Sequence, residues 1–215
     1  MMLAILFDLD GTLVDSRQDL AEAVNAGLRA VGLPERSLAE ITSFIGEGSR
    51  QLIEKAVAPR TDLLDAAHAA WAVAYRAGLL RHTAFYPGML ELVQTLGPRF
   101  DGRLAIHTNK PGDMARAILA GLGAEKLFAR VVGDGDGSAR KPAPDGARLL
   151  LRGFAVAPAQ AVYVGDSLVD LETAAAASLA FLGCGWGYGH AEALRARGAR
   201  VARDAEELGA WLGAR

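Results

Sequence analysis

LFDLDGTLVDS (residues 6–16) joins an apolar run to two acidic residues. The run at 3–7 contains no polar side chain, which predicts a short strand covered on both faces. Asp8 and Asp10 follow at once, and two like charges this close destabilise the fold unless a cation lies between them. A hard divalent ion such as Mg²⁺ suits these carboxylates, and Gly11 allows the tight turn that follows. From these residues alone, a pair of solvated acids in a turn stays open as the alternative.

The composition is that of a globular protein, since the 215 residues are 51% hydrophobic and 22% charged. The net charge of −2 offers no basic surface for nucleic acid or for an anionic membrane. No stretch approaches the roughly 18 uninterrupted apolar residues of a membrane span. Cys184 is the only cysteine, which excludes an internal disulfide and favours a reducing compartment. We therefore expect a cytoplasmic protein, a monomer or homodimer, with no nucleic-acid or membrane partner.

Short apolar runs alternate with helical patterns over most of the chain. Strands are predicted at 3–7, 103–107, 130–132, 161–165 and 179–182, with helices at 114–122, 145–154 and 168–177. This alternation predicts an α/β fold with a Rossmann-like, mostly parallel sheet and helices on both faces. Ligands of such sheets bind at the carboxyl ends of the strands. Asp8, Thr108 and Asp166 each follow the last residue of a predicted strand, so we expect them to lie near one site.

Residues 16–85 interrupt the alternation. Helical patterns run at about 17–31, 49–58 and 62–80, with no convincing strand among them. Ser16 is predicted to be the N-cap of the first of these helices, with Asp19 as the acid three residues on. We therefore expect an all-helical insertion at 16–85, between 1–15 and 86–215 of the α/β core.

Lysine is rare in this chain, since only four of the 23 basic residues are lysine. A codon bias of the genome would explain the ratio. It would not explain why two of the four, Lys110 and Lys141, stand directly before prolines at the ends of predicted strands or in loops.

LFDLDGTLVDS resembles the first signature of the haloacid dehalogenase superfamily, which has the pattern D-x-D-x-[TV]. Three further signatures of that superfamily have counterparts in the expected order: Thr108 in IHTNKP, Lys141 in RKPAPD, and Asp166 with Asp170 in VGDSLVD. The signatures frame most of the chain. The resemblance also implies that the helical insertion is the small cap domain of this family.

The resemblance implies a reaction and the residues that carry it. Asp8 would be the nucleophile that forms an aspartyl-phosphate. Asp10 would protonate the leaving oxygen and then take a proton from the attacking water. The implied cofactor is Mg²⁺, held by Asp8, Asp166 and Asp170 with a backbone oxygen of Asp10. The implied phosphate-binding residues are Thr108, Asn109 and Lys141.

The identity of the substrate depends on further stretches. Asp10 points to phosphate esters, because the dehalogenases of the superfamily lack this acid. The segments at 44–57 (FIGEGSRQLIEKAV), 107–111 (HTNKP) and 185–189 (GWGYG) resemble phosphoglycolate phosphatases, so the expected substrate is a small phosphorylated metabolite, 2-phosphoglycolate. Gly46, Gly48 and Arg50 are the candidate specificity residues, with Arg50 as the contact for the carboxylate. Ser178 stands where the family has glycine, at the cost of strain if that position needs a positive φ.

Two other functions remain open at this point. One is a different phosphatase or a mutase on the same scaffold, acting on pyrophosphate, a nucleotide or a sugar phosphate. The other is a phospho-receiver-like signalling module, which also combines an acidic cluster, a hydroxyl residue, a lysine and Mg²⁺. Receiver domains are much shorter and have no helical insertion, which argues against the second function.

Overall fold

The computed structural model describes residues 1–214. The strands are β1 Ala4–Phe7, β2 Val14–Asp15, β3 Ala84–Phe85, β4 Leu104–Pro111, β5 Arg130–Asp134, β6 Ala161–Gly165, β7 Ala180–Cys184 and β8 Arg200–Ala202. The α-helices are α1 Arg17–Ala30, α2 Leu38–Phe44, α3 Ser49–Val57, α4 Leu64–Gly78, α5 Met89–Arg99, α6 Gly112–Gly121, α7 Asp145–Phe154, α8 Leu168–Ala176, α9 Ala191–Ala196 and α10 Ala205–Leu212.

Six strands form one parallel sheet in the order β5-β4-β1-β6-β7-β8. The central strand β1 is buried along its whole length. Ile5 and Phe7 pack in one hydrophobic cluster with residues of α5, α6 and α10. Ala4 and Leu6 pack on the opposite face with residues of α7 and α8. The predicted α/β architecture, a parallel sheet with helices on both faces, is therefore confirmed.

Helices α1–α4 fall within the predicted insertion and have a hydrophobic cluster of their own, centred on Trp71 and Tyr75 of α4. Strands β2 and β3 form a two-stranded antiparallel ribbon where the chain enters and leaves this segment. Helix α2, β2, β3 and the edge strand β8 were not expected. Within residues 1–214, no helix combines the length and apolar character that spanning a bilayer requires.

The first helix of the insertion begins where predicted, but its expected N-terminal capping does not form. The Ser16 hydroxyl donates to Asp10 Oδ1 at 2.5 Å instead of capping α1. Asp19 accepts hydrogen bonds from the backbone N–H groups of His82 and Thr83 and from the Thr83 hydroxyl. Asp19 therefore joins the start of α1 to the end of the insertion, and this long-range contact replaces the local one.

Candidate active site

The carboxyl ends of three neighbouring strands bring the expected residues together. Strand β1 pairs with β4 on one side and with β6 on the other, and Phe7 is in register with both Ile106 and Val164. Asp8, Thr108 and Asp166 follow these positions and are all buried. Residues about 100 and 150 positions apart in the sequence therefore face one site, as strand-end placement predicts.

Three carboxylates form the centre of this site. Asp8, Asp166 and Asp170 each offer an oxygen atom, and these atoms lie within 4.8 Å of one another. Burial raises the pKa of Asp8 to about 6, with Lys141 opposing the shift. Burial and the charges of the other two acids also raise the pKa of Asp166 well above its usual range. A cation at this point would relieve that repulsion.

The donor set fits a hard divalent cation. All three candidate groups are carboxylates, which suit Mg²⁺. Asp8 Oδ1 is buried, and among the described residues it has no donor besides the Lys141 ammonium, whose Nζ lies 2.9 Å away. A Cβ atom at Gly11 or Gly187 would lie 2.4 or 2.3 Å from Asp166 Oδ2, so only glycine leaves room around that oxygen. Together these features show that the residues present could hold a divalent cation, with Asp8 Oδ1 among the available oxygens.

The GWGYG segment contributes to the same site, although no specific role was predicted for it from the sequence. The backbone N–H of Tyr188 donates to Asp166 Oδ2 at 3.0 Å, and the Thr12 hydroxyl donates to Oδ1 at 3.2 Å. The phenol of Tyr188 contacts Ser16, next to the insertion. The segment therefore orients Asp166 and closes the site from the carboxyl-terminal part of the chain.

Lys141 is the fixed cation of the site, and its side chain is 2% exposed. Its Nζ lies 2.9 Å from Asp8 Oδ1 and 2.7 Å from Asp170 Oδ1. The other oxygen of Asp170 accepts from the backbone N–H and the hydroxyl of Ser167, which caps α8. Both oxygens of Asp170 thus have protein partners, so this residue orients Lys141 as well as belonging to the carboxylate cluster.

Asn109 joins two parts of the site through its side-chain amide. Its side-chain oxygen accepts from the Lys141 backbone N–H at 2.8 Å. Its side-chain nitrogen donates at 3.1 Å to the carbonyl groups of Lys141 and Gly46. Asn109 therefore holds the loop of Lys141 and joins it to the insertion, and its expected part in phosphate binding stays a prediction.

Lys110 is the main site residue for which no role was predicted from the sequence. Its Nζ lies 2.9 Å from both carboxylate oxygens of Asp10 and donates to the Tyr75 hydroxyl at 2.6 Å. The Lys110 side chain is only 3% exposed, and its charged partners raise its pKa despite the opposing effect of burial. The rarity of lysine and the position before Pro111 were the available signals. These signals do not indicate that the Tyr75 hydroxyl on α4 is a partner of Lys110.

Comparison with known proteins agrees with this geometry. The family model of haloacid dehalogenase-like hydrolases matches residues 5–184. The chain belongs to this family.

Individual relatives give finer detail. A phosphoglycolate phosphatase of Rhodospirillum rubrum is 36% identical over 219 residues, covering 98% of this chain and 90% of the relative. A phosphoglycolate phosphatase of Cereibacter sphaeroides strain ATCC 17025 is 40% identical over 195 residues, 88% of each protein. The crystal structure of a predicted phosphoglycolate phosphatase from Haemophilus somnus 129PT superposes with a TM-score of 0.82 at 31% identity, covering 87% of both chains. The expected enzyme class, a phosphoric monoester hydrolase of this family, is confirmed.

In this hydrolase the carboxylate cluster opens into a cavity between the sheet and the helical insertion. The volume that the centre of a water molecule can reach in this cavity is about 50 Å³. The insertion contributes the turn before α3, with Gly46 and Gly48, and the side chains of Trp71 and Tyr75 on α4. The core contributes, besides the acids, the lining residues Thr108, Asn109, Lys110, Pro111, Ser167, Tyr188 and His190.

The structure does not bring Arg50 to this cavity. Among the described residues its guanidinium pairs with Asp65 at 2.9 Å, and its side chain is 50% exposed. The residues that line the cavity include Ser49 but not Arg50. Consecutive residues of a helix point about 100° apart, so Ser49 faces the cavity while Arg50 faces solvent. The expected contact between Arg50 and a carboxylate is therefore not supported by its position.

Proposed function

We propose that this chain is a Mg²⁺-dependent phosphomonoesterase that hydrolyses 2-phosphoglycolate to glycolate and phosphate. The observation that carries the proposal is the buried Oδ1 of Asp8, which lies 2.9 Å from the Lys141 ammonium and within the cluster of Asp166 and Asp170. Among the described residues this oxygen has no donor besides that ammonium group, so it keeps a lone pair for a cation or for an electrophilic phosphorus atom. The choice of substrate is supported by the names of the relatives.

The first half of the reaction forms the enzyme intermediate. An oxygen of Asp8 attacks phosphorus in line while the P–O bond to glycolate breaks, which leaves an aspartyl-phosphate. Asp10 gives its proton to the departing oxygen, so this oxygen leaves as the neutral hydroxyl group of glycolate. Thr108 and Lys141 hold the phosphoryl oxygens during transfer. The positive charge of Lys141 is fixed in place by Asp170, so it needs no reorganisation as negative charge accumulates.

The second half restores the enzyme. Asp10 takes a proton from water, the water oxygen attacks phosphorus, and the bond between phosphorus and Asp8 breaks to release phosphate. Mg²⁺ would be held by Asp8 and Asp166, with Asp170 and the backbone oxygen of Asp10 nearby, and it would neutralise charge on the phosphoryl oxygens. In the second half Asp10 acts in its ionised form, the form that Lys110 and Ser16 stabilise.

Substitution of the nucleophile tests this mechanism. Asp8→Asn is expected to reduce kcat by at least about 10⁴-fold, because the amide cannot form the phosphoenzyme. Asp113→Asn, which alters an exposed carboxylate paired with Arg76, is the matched control and should retain full turnover. Mass spectrometry of the wild-type protein, quenched during turnover, should find one phosphoryl group on the peptide that contains Asp8. A phosphoryl group on another residue would displace Asp8 as the nucleophile.

A panel of esters tests the substrate. The proposal expects 2-phosphoglycolate to have the highest kcat/KM, with activity lost in EDTA and restored by added Mg²⁺. The panel also contains pyrophosphate, a nucleoside monophosphate and a hexose phosphate, because another phosphatase or a mutase would use the same catalytic residues. A higher kcat/KM for one of these would replace the substrate while leaving the phosphatase reaction in place.

A further inference from the structure

Helix α4 presents an aromatic stripe toward the site. His68, Trp71 and Tyr75 are three and four residues apart, so they share one helix face. Their rings stack in sequence, with centroids 5.3 Å apart for His68 and Trp71 and 5.4 Å apart for Trp71 and Tyr75. Trp71 and Tyr75 line the cavity. The stripe thus places aromatic rings with polar edges opposite the carboxylate cluster.

Within this stripe, the indole N–H of Trp71 has no acceptor among the described residues, although the side chain is only 1% exposed. Its neighbour Tyr75 has a partner, since its hydroxyl accepts from Lys110. Trp186, elsewhere in the chain, donates its indole N–H to the Thr12 carbonyl at 3.1 Å. Buried donors are almost always paired, because an unpaired donor loses its hydration without compensation. An unpaired donor in a cavity wall therefore points to an acceptor on a ligand.

The distribution of charge indicates what kind of acceptor this is. The acids that line the cavity, Asp8, Asp10 and Asp166, all lie on the core side. The lining residues contributed by the insertion are apolar or hydrogen-bond donors, with no acid among those the structure describes: Leu20, Ile45, Gly46, Gly48, Ser49, Leu52, Trp71 and Tyr75. The first turn of α3, which begins at this wall, also contains no acid. On the core side the lining cation Lys110 is already paired with Asp10, so the unpaired donor on the insertion side is the open position for a second anionic group.

We propose that the Trp71 indole N–H donates a hydrogen bond to the carboxylate of the substrate and so selects phosphate esters that carry an anion close to the phosphorus. This inference rests on the proposed function, and it assigns to Trp71 the role that the sequence predicted for Arg50. With the phosphoryl group held by Lys141 and Thr108, the remainder of a two-carbon ester extends across the cavity toward α4. The bond is charge-assisted, which makes it stronger than a bond between neutral groups.

The test compares Trp71→Phe with the wild-type enzyme on two substrates of equal length. Ethyl phosphate replaces the carboxylate of 2-phosphoglycolate by a methyl group. In Trp71→Phe, KM for 2-phosphoglycolate is expected to rise by about tenfold or more, the effect of losing one hydrogen bond to a charged group. The kcat/KM for ethyl phosphate should stay within about twofold, because phenylalanine preserves the stacking. Trp211→Phe, a substitution on α10 away from the site, is the matched control and should leave both substrates unchanged.

The outcomes separate the two proposals. If the wild-type enzyme fails to prefer 2-phosphoglycolate over ethyl phosphate, the proposed substrate is wrong. If the wild-type enzyme has this preference and Trp71→Phe retains it, the role of Trp71 is wrong. An equal loss on both substrates would likewise overturn it, since that pattern indicates a structural effect.

A measurement on the intact ring covers the case in which Trp71→Phe does not fold. In ¹⁵N-labelled Asp8→Asn protein with Mg²⁺, 2-phosphoglycolate should shift the indole N–H resonance of Trp71 and ethyl phosphate should not. The resonance is assigned by elimination with Trp186→Phe and Trp211→Phe. An indole resonance that does not respond to 2-phosphoglycolate at saturation would overturn the inference.

Discussion

Replacement of Ser178 by glycine is expected to stabilise the protein. Ser178 follows the end of α8 with φ of 60°, in the left-handed region that only glycine adopts without strain. Its backbone N–H donates to the Ala175 carbonyl at 3.0 Å, and the next N–H, of Leu179, donates to the Ala174 carbonyl at 2.8 Å. These two bonds define a Schellman motif, whose geometry requires the positive φ. The serine side chain is exposed, so its removal deletes no packing.

The magnitude follows from two opposing free energies. Relief of left-handed strain contributes about 1–2 kcal/mol in favour of glycine. The greater backbone entropy of glycine in the unfolded chain removes about 0.5–1 kcal/mol of that gain. The net increase in the free energy of unfolding therefore lies between about 0 and 1.5 kcal/mol. Its midpoint of about 0.75 kcal/mol would raise Tm by roughly 1.5–3 °C for a chain of this size.

Urea unfolding followed by circular dichroism measures this difference, provided that the dependence on urea concentration is the same for both proteins. Ala176→Gly is the matched control, because Ala176 is also exposed but lies in the last helical turn of α8. There glycine is expected to lower the free energy of unfolding by about 0.5–1 kcal/mol. Ala155, with φ of 55° after α7, should respond to glycine like Ser178. A destabilised Ser178→Gly protein, or the same sign at residues 176 and 178, would refute the reasoning.

Three further predictions concern buried or displaced charges. Lys110→Met leaves a largely buried carboxylate without its cation, so urea unfolding should show a loss of about 3–5 kcal/mol, whereas exposed Lys126→Met should change stability by less than about 0.5 kcal/mol. Burial lowers the pKa of His107 to about 3, so the native state keeps it neutral while the unfolded state gains a proton below about pH 6.5. The stability that neutral His107 contributes is therefore present above pH 6.5 and is lost on acidification at about 1.4 kcal/mol per pH unit. Relative to His107→Phe, the wild-type protein should lose about 2 kcal/mol in its free energy of unfolding between pH 6.5 and 5. Parallel pH profiles of the two proteins would contradict this. Arg50→Ala should leave KM for 2-phosphoglycolate within about twofold, because an exposed ion pair with Asp65 contributes little and Arg50 lies outside the cavity; a large rise in KM would place Arg50 in the site after all.

The parts of the fold that could be predicted are those that single strands and helices encode locally. An uninterrupted apolar run such as residues 3–7 predicts a buried strand, and the rule that ligands bind at strand ends then brings Asp8, Thr108 and Asp166 together. Strands β2, β3 and β8 have two or three residues each, which is too short to show a periodicity. They form because a neighbouring strand offers hydrogen bonds, and that neighbour is distant in the sequence.

The same limit applies to side chains that have both a local and a distant partner. Ser16 and Asp19 fit a local capping pattern, but Asp10 and the backbone around His82 are the partners that they bind. Asn109 stands next to Thr108, and its side-chain amide binds the distant Lys141 loop. In each case the sequence pattern identified a side chain that can donate or accept a hydrogen bond. The folded structure brings that side chain a distant partner, which the local pattern does not indicate.

The carboxylate cluster and the opposite wall of the cavity lie on different segments of this chain. The carboxylate cluster and Lys141 belong to the sheet, whereas the opposite wall belongs to α3 and α4. Side-chain contacts that join the halves include Asn109 with the Gly46 carbonyl, Lys110 with the Tyr75 hydroxyl, and Arg140 with the Gln51 side chain. Substitutions on the α3–α4 wall can therefore change the shape and charge offered to the substrate without moving Asp8. For this reason the signatures that specify the reaction carry little information about the substrate, and Trp71, which belongs to none of them, is where that information is expected.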